Sequence, residues 1–407
     1  MSEDRPTVLR LLRESHEERV LAALRTRGAL GRAQLEDITG LSRTTLSAIV
    51  RHLIAIGAVV EVTEVTASQR RRGRPAGVLA LNKSGGLAVG IDLGHRRTHV
   101  VIVNVAHEVV ASRGAPCAEK TSWRRRVELA LRLVDDLTSN SAISLAALGG
   151  VGVGVVGPVA GSAAGAARSR PGRTDLVHRM LAERFDVPIF VDNNTRLAAL
   201  AEAIWGSATG IQNVLYVRLS YGVGGGLILG GHLFAGADGG AGEVGHVSVD
   251  PQGLACWCGG RGCLERYVSL GAVLEQCHSR DLDGVLGRLR AGDPDVNAVF
   301  ATAGERIGRV LAASCNVLNP EAIVIGGELA AAGQPLLDPA WEAIQAYAHR
   351  QVRRRLSFRT ASLGELGAAR GGVALVLRQS ELLAGYPSGG PAGRTKQRKR
   401  VTSKRCS

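Results

Sequence analysis

A loop that carries three cysteines constrains the fold of this chain more than any other stretch of its sequence. Cys256, Cys258 and Cys263 lie close together with glycines between them, and His246 precedes the first of them by ten residues. One histidine and three cysteines are a common ligand set of closed structural zinc sites. The glycines allow the backbone to wrap around an ion. The sequence therefore predicts a structural Zn²⁺ bound by these four side chains, with a cluster of buried thiols as the alternative.

Length and composition are those of a globular protein with more than one domain. The chain has 407 residues, of which 45% are hydrophobic and 21% are charged, and this length predicts two to three domains. It has no apolar run of the ~18 to 20 residues that a membrane helix needs, and residues 1–4 do not begin a signal peptide. We therefore expect a cytoplasmic protein with no membrane partner. The odd number of cysteines, seven, favours a metal site over a disulfide framework.

The net charge of +14 is concentrated towards the two ends of the chain. Residues 1–82 carry 13 basic and 9 acidic side chains, and residues 382–407 carry 7 basic side chains and no acidic one. The 299 residues between them have a net charge of only +3. This distribution indicates that any contact with a polyanion is made by the ends. For residues 382–407 a basic, disordered tail is the simpler interpretation.

Three short helices are predicted in the first 55 residues. Apolar spacing favours helices over residues 17–26 and 33–39, and Gly40 is placed to end the second. Ser42 is a suitable N-cap for a third helix over residues 43–53. This order is typical of a helix-turn-helix, in which the N-terminal residues of the last helix meet base edges in the major groove. A three-helix protein-interaction domain is the alternative. The predicted DNA-contacting residues on this helix are Ser42, Arg43, Thr44, Thr45 and Ser47.

A β-hairpin with a basic tip is predicted to follow these helices. Residues 59–65 and 78–81 have the character of strands, and the segment between them contains four arginines around a glycine. Such a tip can enter a narrow minor groove or neutralise phosphates, so Arg72 and Arg74 join the predicted DNA contacts. Helices followed by this hairpin make a winged helix-turn-helix domain, which we place at residues 1–82.

The rest of the chain is predicted to be an α/β fold in two parts. Strands are expected over residues 88–94, 98–105, 151–158, 188–191 and 214–219, with helices over residues 123–138 and 195–205. We place a first α/β lobe at residues 83–200 and a second lobe, which contains the cysteine loop, at residues 201–381. Residues 382–407 form the basic tail.

Motifs in this body, in their order and spacing, resemble those of the ROK family (repressor, open reading frame, kinase). They are Asp92-Leu93-Gly94, the glycine-rich stretch at residues 152–158, the Asn193-Asn194 turn, Glu243 with His246, and the cysteine loop that ends at Glu265. The resemblance implies a two-lobed, actin-like ATPase fold of the sugar-kinase type, with a hexose in the cleft between the lobes. It further implies that His246 binds both the zinc ion and the sugar. The implied sugar ligands are Asn193, Asn194, Glu243, His246 and Glu265, although the two glutamates have an alternative role in orienting metal ligands.

Two positions depart from the pattern of the family's kinases. The kinases have a general-base aspartate where this chain has Asn194, and a carboxamide cannot accept the proton of a sugar hydroxyl. Their phosphate turn has a glycine and a small hydroxyl residue, whereas this chain has His95, Arg96 and Arg97 after Gly94. We therefore expect no catalytic residue and no phosphoryl transfer.

The combination of a winged helix-turn-helix with such a body predicts a sugar-responsive transcriptional regulator, most simply a repressor. Its expected partners are a double-stranded DNA operator, a sugar or sugar-phosphate effector, and a second copy of the chain in a homodimer or a dimer of dimers. One alternative is an ATP-dependent sugar kinase with an added DNA-binding domain. Another is a DNA-binding protein whose metal-bearing lobe is only a dimerisation scaffold.

Overall fold

The computed structural model describes residues 8–55, 57–62, 77–82, 86–141, 143–159 and 173–379. Within these ranges no helix is both long and apolar enough to cross a membrane. The predicted basic tail, and the hairpin tip with Arg72 and Arg74, lie outside the described residues.

Three helices and a hairpin form the N-terminal part, as predicted. The elements are α1 (Val8–Arg27), α2 (Arg32–Thr39), α3 (Arg43–Ala55), β1 (Val59–Val62) and β2 (Val78–Leu81).

The caps of this part follow the sequence prediction. Gly40 ends α2 in the left-handed conformation with φ 64°, and the Ser42 hydroxyl accepts a hydrogen bond from the Thr45 backbone N–H at 3.3 Å, at the start of α3. The apolar stripe of α3 is buried, and β1 pairs antiparallel with β2. These contacts confirm a helix-turn-helix followed by a hairpin.

A five-stranded sheet organises the first lobe, in the order β5-β4-β3-β6-β7. Strand β4 pairs antiparallel with both β3 and β5, and β6 and β7 run parallel to β3. The sequence analysis did not predict β5. The elements of this lobe are β3 (Leu87–Leu93), β4 (Arg97–Val103), β5 (Val109–Pro116), α4 (Trp123–Ser141), β6 (Leu148–Val155), α5 (Arg173–Ala182) and β7 (Ile189–Asn193).

The second lobe repeats this arrangement. Its sheet has the order β10-β9-β8-β11-β12, with the first three strands antiparallel and β11 and β12 parallel to β8. The elements from the interlobe helix onward are α6 (Asn194–Trp205), β8 (Val214–Leu219), β9 (Val223–Leu229), β10 (His232–Phe234), α7 (Glu265–Val268), α8 (Leu270–Gln276), α9 (Leu282–Arg290), α10 (Pro294–Leu318), β11 (Ala322–Gly326), α11 (Gln334–Tyr347), α12 (Arg350–Arg353), β12 (Ser357–Thr360) and α13 (Gly367–Gln379).

The last helix, α13, returns to the first lobe and packs on its sheet. A Cβ atom added at Gly90 of β3 would overlap the Ala369 carbonyl, and one added at Gly152 of β6 would overlap the Gly372 carbonyl. The helix also packs against α6, where Gly371 lies against the Leu197 carbonyl. Glycine is needed at these positions because the helix backbone lies directly on the strands.

The turn between β4 and β5 belongs to the core of the N-terminal part. Val105 in this turn is fully buried and shares a hydrophobic cluster with Leu24 of α1 and Leu79 of β2. Next to it His107 adopts a left-handed conformation with φ 63° and is buried. The turn therefore connects the first lobe directly to the helix-turn-helix.

Candidate functional site

The two lobes enclose a cleft with a volume of about 1060 Å³. Its walls contain the strand ends of both sheets, the start of α6 and the side of the cysteine loop. All five residues that the sequence analysis assigned to the sugar lie on these walls: Asn193, Asn194, Glu243, His246 and Glu265. They come from three separate parts of the chain, and the fold brings them to one cleft.

The predicted metal ligands form one cluster beside this cleft. The ligand atoms of His246, Cys256, Cys258 and Cys263 all lie within 4.8 Å of one another. Cys258 and Cys263 have their sulfur atoms 3.6 Å apart, and the Cys256 sulfur is 3.7 Å from Nδ1 of His246. Tetrahedral ligands at Zn–S distances of ~2.3 Å are about 3.8 Å apart. The cluster therefore has the ligand atoms and the spacing that a metal ion of this size requires.

The thiols of the cluster affect one another's ionisation. Burial raises the pKa of the Cys263 thiol to about 12, and the neighbouring sulfurs of Cys258 and Cys256 add to this rise. A cation bound among these sulfurs would favour their thiolate form, which is the form that binds metals. The cysteine loop needs glycine at two positions. Gly259 and Gly262 have left-handed backbone conformations, and a Cβ atom at Gly262 would overlap the Asp250 carbonyl.

His246 connects the metal cluster to the cleft. Its Nδ1 faces Cys256, while its Nε2 lies 3.8 Å from the Glu243 carboxylate on the cleft side. Burial raises the pKa of Glu243 above its usual value, His246 opposes this rise, and the nearby Glu265 carboxylate adds to it. A ligand hydroxyl that donates to Glu243 would replace the water that burial removes.

Glu265 is held by donors from two directions. Its Oε2 accepts a hydrogen bond from the Val223 backbone N–H at 2.8 Å, and its Oε1 accepts one from the Trp257 indole N–H, also at 2.8 Å. The carboxylate stands at the start of α7, and it retains lone pairs for a further donor.

The two asparagines at the start of α6 have different partners. Asn193 is the N-cap, and its Oδ1 accepts from the backbone N–H groups of Thr195 and Arg196 while its Nδ2 donates to the Gly157 carbonyl. Asn194 is buried, and its Nδ2 donates to Asp92 of β3 at 3.0 Å. Asn193 thus fixes the end of the helix, and Asn194 lies deep in the cleft.

A buried arginine fixes the turn that follows β3. The guanidinium of Arg126 on α4 donates to the carbonyls of Gly94 and His95 in this turn and to those of Glu119 and Thr121. Arg126 is 4% exposed. The Arg126 guanidinium therefore fixes this turn through hydrogen bonds to its carbonyl oxygens.

Side chains of this turn extend across the cleft to the second lobe. The guanidinium of Arg96 lies 4.3 Å from the centre of the Tyr221 ring. His95 is close to Gly222, and burial lowers the pKa of its imidazole, with Arg218 and Arg126 adding to the decrease. The β3–β4 turn therefore contacts Arg126 of its own lobe and Tyr221 and Gly222 of the second lobe.

Asp92 also contacts the second lobe. Its carboxylate lies 3.9 Å from the guanidinium of Arg218 on β8. Burial acts to lower the pKa of Arg218, but Asp92 and neighbouring acidic groups outweigh it and raise that pKa above its usual value. Oδ1 of Asp92 thus accepts a hydrogen bond from Asn194, and Oδ2 forms a longer ion pair with Arg218.

The predicted DNA-contacting residues lie together at the N-terminal end of α3. Ser42, Arg43 and Thr44 are exposed, and Thr45 and Ser47 are half-buried. The Ser42 hydroxyl also lies 3.0 Å from that of Thr44 and 2.9 Å from that of Thr45. These residues form a polar surface, and none of them lines the cleft.

Comparison with known proteins identifies the family of the two-lobed part of the chain. The sequence profile of the ROK family matches residues 88–379. The chain belongs to the ROK family. The N-acetylglucosamine repressor of Escherichia coli O6:H1 is 28% identical to this ROK chain over 367 residues, which cover 86% of the chain and 89% of the relative.

Two solved structures share the fold of this ROK protein. A ROK family transcriptional regulator described as a homologue of the E. coli MLC protein superposes with a TM-score of 0.75 at 24% identity, over 92% of this chain and 98% of its own. A ROK family glucokinase from Streptomyces griseus, solved with glucose and AMPPNP, superposes with a TM-score of 0.63 at 23% identity. The glucokinase covers 71% of this chain, and 99% of its own chain is matched.

Three arginines were not predicted as functional residues, although the sequence carries a signal for each: Arg126 and Arg218 line this ROK cleft, and Arg196 is a buried residue of α6. Arg126 is four residues before Ala130 on the apolar stripe of α4, where a charged side chain must be buried. Arg218 interrupts the apolar run of β8. Arg196 follows the two asparagines and forms a buried ion pair with Asp192. A charged residue on a buried stripe is therefore the signal that finds them.

Proposed function

We propose that this chain is a sugar-responsive transcriptional repressor. It binds a double-stranded DNA operator through its N-terminal helices and hairpin, and it binds a sugar or sugar phosphate in the cleft between its lobes. One observation carries the proposal: the β4–β5 turn of the sugar-kinase-like body forms part of the hydrophobic core of a helix-turn-helix. A relative that matches both parts is named as a sugar repressor, which supports the same function.

The proposed operator contacts are the polar residues at the start of α3 together with Arg72 and Arg74 of the hairpin tip. The N-terminal end of such a helix reads base edges, and arginines of a wing neutralise phosphates. A homodimer or a dimer of dimers fits this function because two recognition helices about one DNA turn apart read a palindromic operator. We assign this role to residues 1–82, the two lobes to residues 83–200 and 201–381, and a basic tail to residues 382–407.

The proposed sugar site combines groups from both sides of the cleft. Glu243, His246 and Glu265 supply acceptors and an imidazole from the second lobe, and Asn194 supplies a carboxamide from the start of α6. Asn193 contributes mainly by fixing that helix end, since its carboxamide already has three backbone partners. Sugar hydroxyls act as donors and acceptors at once, so such a mixed set of groups suits them.

The metal that we propose for the cluster is a structural zinc ion. Its four protein ligands leave no open position, so the ion fixes the loop and activates no water. His246 would be oriented by the ion through Nδ1 and would present Nε2 to the sugar. We expect Cys258→Ser to lower the zinc content and the sugar response before it lowers operator affinity. Elemental analysis tests this, with the buried Cys277→Ser as control, because Cys277 lies outside the cluster.

Two contacts argue against phosphoryl transfer by this chain. The carboxamide of Asn194 faces Asp92 and has no basic oxygen for a sugar proton. The turn that would approach a nucleotide is bound to Arg126 through its carbonyls and to Tyr221 through Arg96. The alternative, a sugar kinase with a DNA-binding domain, predicts ADP release with a hexose in a coupled assay. We expect no turnover above the background rate.

Sugar acts on the operator complex through a shift between two conformations of the lobes. Only a difference in sugar affinity between the two conformations can drive this shift. Helix α6 offers a connection, because it begins with Asn194 in the cleft and ends at Trp205, whose indole N–H donates to His107 at 3.2 Å. His107 lies in the β4–β5 turn, two residues after Val105, which belongs to the hydrophobic core of the helix-turn-helix.

The decisive experiment selects genomic DNA fragments that the purified protein binds and then screens sugars for a change in that binding. The proposal expects enriched fragments with a shared palindrome, and one sugar or sugar phosphate that alters their affinity at least fivefold. Enrichment without any effect of sugars supports the scaffold alternative instead. Absence of enriched fragments contradicts the proposed function.

A further inference from the structure

Trp257 is an exposed aromatic side chain that is nevertheless held in one orientation. It lines the cleft with 70% of its surface exposed. Its indole N–H donates to Oε1 of Glu265 at 2.8 Å, and its ring meets the His246 ring edge to face, with centroids 4.8 Å apart at 87°. An exposed indole costs free energy in water, so a fixed and open position indicates a surface ready for a ligand.

The two side chains that hold the indole are both proposed sugar ligands. A hydroxyl group bound to His246 or to Glu265 lies about 3 Å from the ligating atom. The indole contacts the same two side chains, so it lies beside the position that a sugar bound to both would take. A sugar in the proposed site would therefore lie next to the Trp257 indole.

The charges around the indole define the ligand surface that it meets. Glu243 and Glu265 both line this part of the cleft. An anionic group placed here would be repelled by both carboxylates. The part of the ligand that faces Trp257 is therefore uncharged, and any phosphate group on the ligand points away from it.

Resting on the proposed function, we propose that Trp257 is a sugar-contacting residue that determines specificity. Its indole packs against the C–H face of an uncharged pyranose ring whose hydroxyls bind His246 and Glu265. The hydrogen bond from the indole also orients Glu265, whose other oxygen is fixed by the Val223 N–H. A pyranose with an axial hydroxyl on the stacked face fits less well, because that hydroxyl would separate the ring from the indole.

The test uses the full-length, zinc-containing protein and a panel of glucose, galactose, mannose, xylose, N-acetylglucosamine and the 6-phosphates of the hexoses. Calorimetry first finds the sugar that the unaltered protein binds. We expect Trp257→Ala to weaken binding of that sugar at least tenfold. Trp257→Phe keeps an aromatic ring but loses the N–H donor, so we expect two- to fivefold weaker binding and a changed order of preference among the sugars. Zinc content and thermal midpoint are measured on each variant.

Fluorescence supplies a second readout. The emission change on sugar addition should decrease in Trp257→Phe, although Trp123 also lines the cleft, and it should keep its full size in Trp341→Phe, whose indole stacks on Phe358 away from the cleft. Unchanged sugar affinity and an unchanged emission response in the Trp257 variants would overturn the inference alone. If no sugar of the panel binds to the unaltered protein, the proposed function fails, and the inference fails with it.

Discussion

Arg126 shows how one side chain can set the state of a whole turn. It lies on the buried stripe of α4, and its guanidinium donates to the His95 carbonyl in the β3–β4 turn and to the Glu119 carbonyl in the segment before α4. A buried guanidinium without these acceptors would carry a large desolvation cost, so the turn and the arginine stabilise each other. The backbone carbonyl oxygens of Gly94 and His95 therefore face the Arg126 guanidinium.

Replacement of Arg126 by methionine should therefore destabilise the first lobe. The change keeps a long apolar stem but leaves several carbonyls without a donor, which corresponds to a loss of about 3 kcal/mol in the free energy of unfolding. Urea unfolding measures this loss. The exposed neighbour Arg125→Met is the matched control and should change the free energy by less than ~0.5 kcal/mol. Equal losses in both variants would contradict the role of Arg126.

Residue-level chemistry was only partly predictable. All four residues of the candidate metal cluster could be predicted, because the three cysteines are close in sequence and His246 precedes the first of them by only ten residues. The partners of Asn194 could not, because Asp92 lies 102 positions earlier and meets it only through the pairing of β3, β6 and β7. Which atoms face each other across a cleft is set by the packing of two lobes, and no local pattern encodes that.

Among the secondary-structure elements, α3 carries the prediction about DNA. Arg43 is exposed at its first position, and Arg51 is exposed near its other end. Since the N-terminal end of a recognition helix meets the bases, Arg43→Ala should weaken operator binding by about 1–3 kcal/mol and relax the sequence preference. Arg51→Ala is the control and should leave that preference unchanged. A gel-shift titration over operator variants checks both, and an unaltered preference in Arg43→Ala would exclude α3 as the recognition helix.

The β4–β5 turn makes a prediction about pH. Burial lowers the pKa of His107 to about 3, and Arg25 and Arg370 add to the decrease. Because the folded protein favours neutral His107, its contribution to stability is complete above pH ~6.5 and is lost as pH falls from there towards 3. The slope is about 1.4 kcal/mol per pH unit.

His107→Asn should flatten this pH dependence, since asparagine tolerates the left-handed conformation of the turn. The measurement is the free energy of unfolding at pH 7, 6 and 5, compared between the variant and the unaltered protein. His178 on α5 is exposed, and His178→Asn should keep the original slope. Identical slopes in all three proteins would show that His107 does not titrate on unfolding.

Elements with a strong local period were predicted well from the sequence. Strand β8 begins and ends as expected, and α6 starts within one residue of its predicted position. Strand β5 was not predicted, because its exposed residues alternate poorly and it is defined by pairing with β4. The packing of α13 on the first lobe could not be predicted from the sequence either. Gly90 and Gly152, which lie within buried strands, indicate only that another backbone packs against them.

At the scale of the whole molecule, two similar lobes are joined by helices that contact both. Nine consecutive residues at the start of α6, Asn194 to Glu202, are buried, and α13 packs along it. Glu202 accepts hydrogen bonds from the backbone N–H groups of Ser207, Ser362 and Leu363. Such a helix moves as a rigid body, so a displacement at its cleft end reaches its other end about 18 Å away.

The last residue of α6 is therefore the place to uncouple sugar from operator. Trp205 donates to His107, and the Arg370 guanidinium lies 4.9 Å from its ring. Trp205→Phe keeps an aromatic ring and removes the donor, so the helix loses its hydrogen bond to the turn that enters the DNA-binding core. We expect sugar affinity and sugar-free operator affinity to stay within about threefold of the original values. The factor by which sugar changes operator affinity should fall at least fivefold, towards one.

Fluorescence anisotropy with labelled operator, at zero and saturating sugar, measures that factor, and Trp341→Phe should retain it. Thermodynamic reciprocity supplies an internal check, because operator must then have equally little effect on sugar affinity. A Trp205→Phe protein that responds to sugar like the original would show that the lobes communicate with the DNA-binding domain by another route. Loss of sugar binding itself would instead show that Trp205 supports the cleft, since coupling and binding are separate quantities in this measurement.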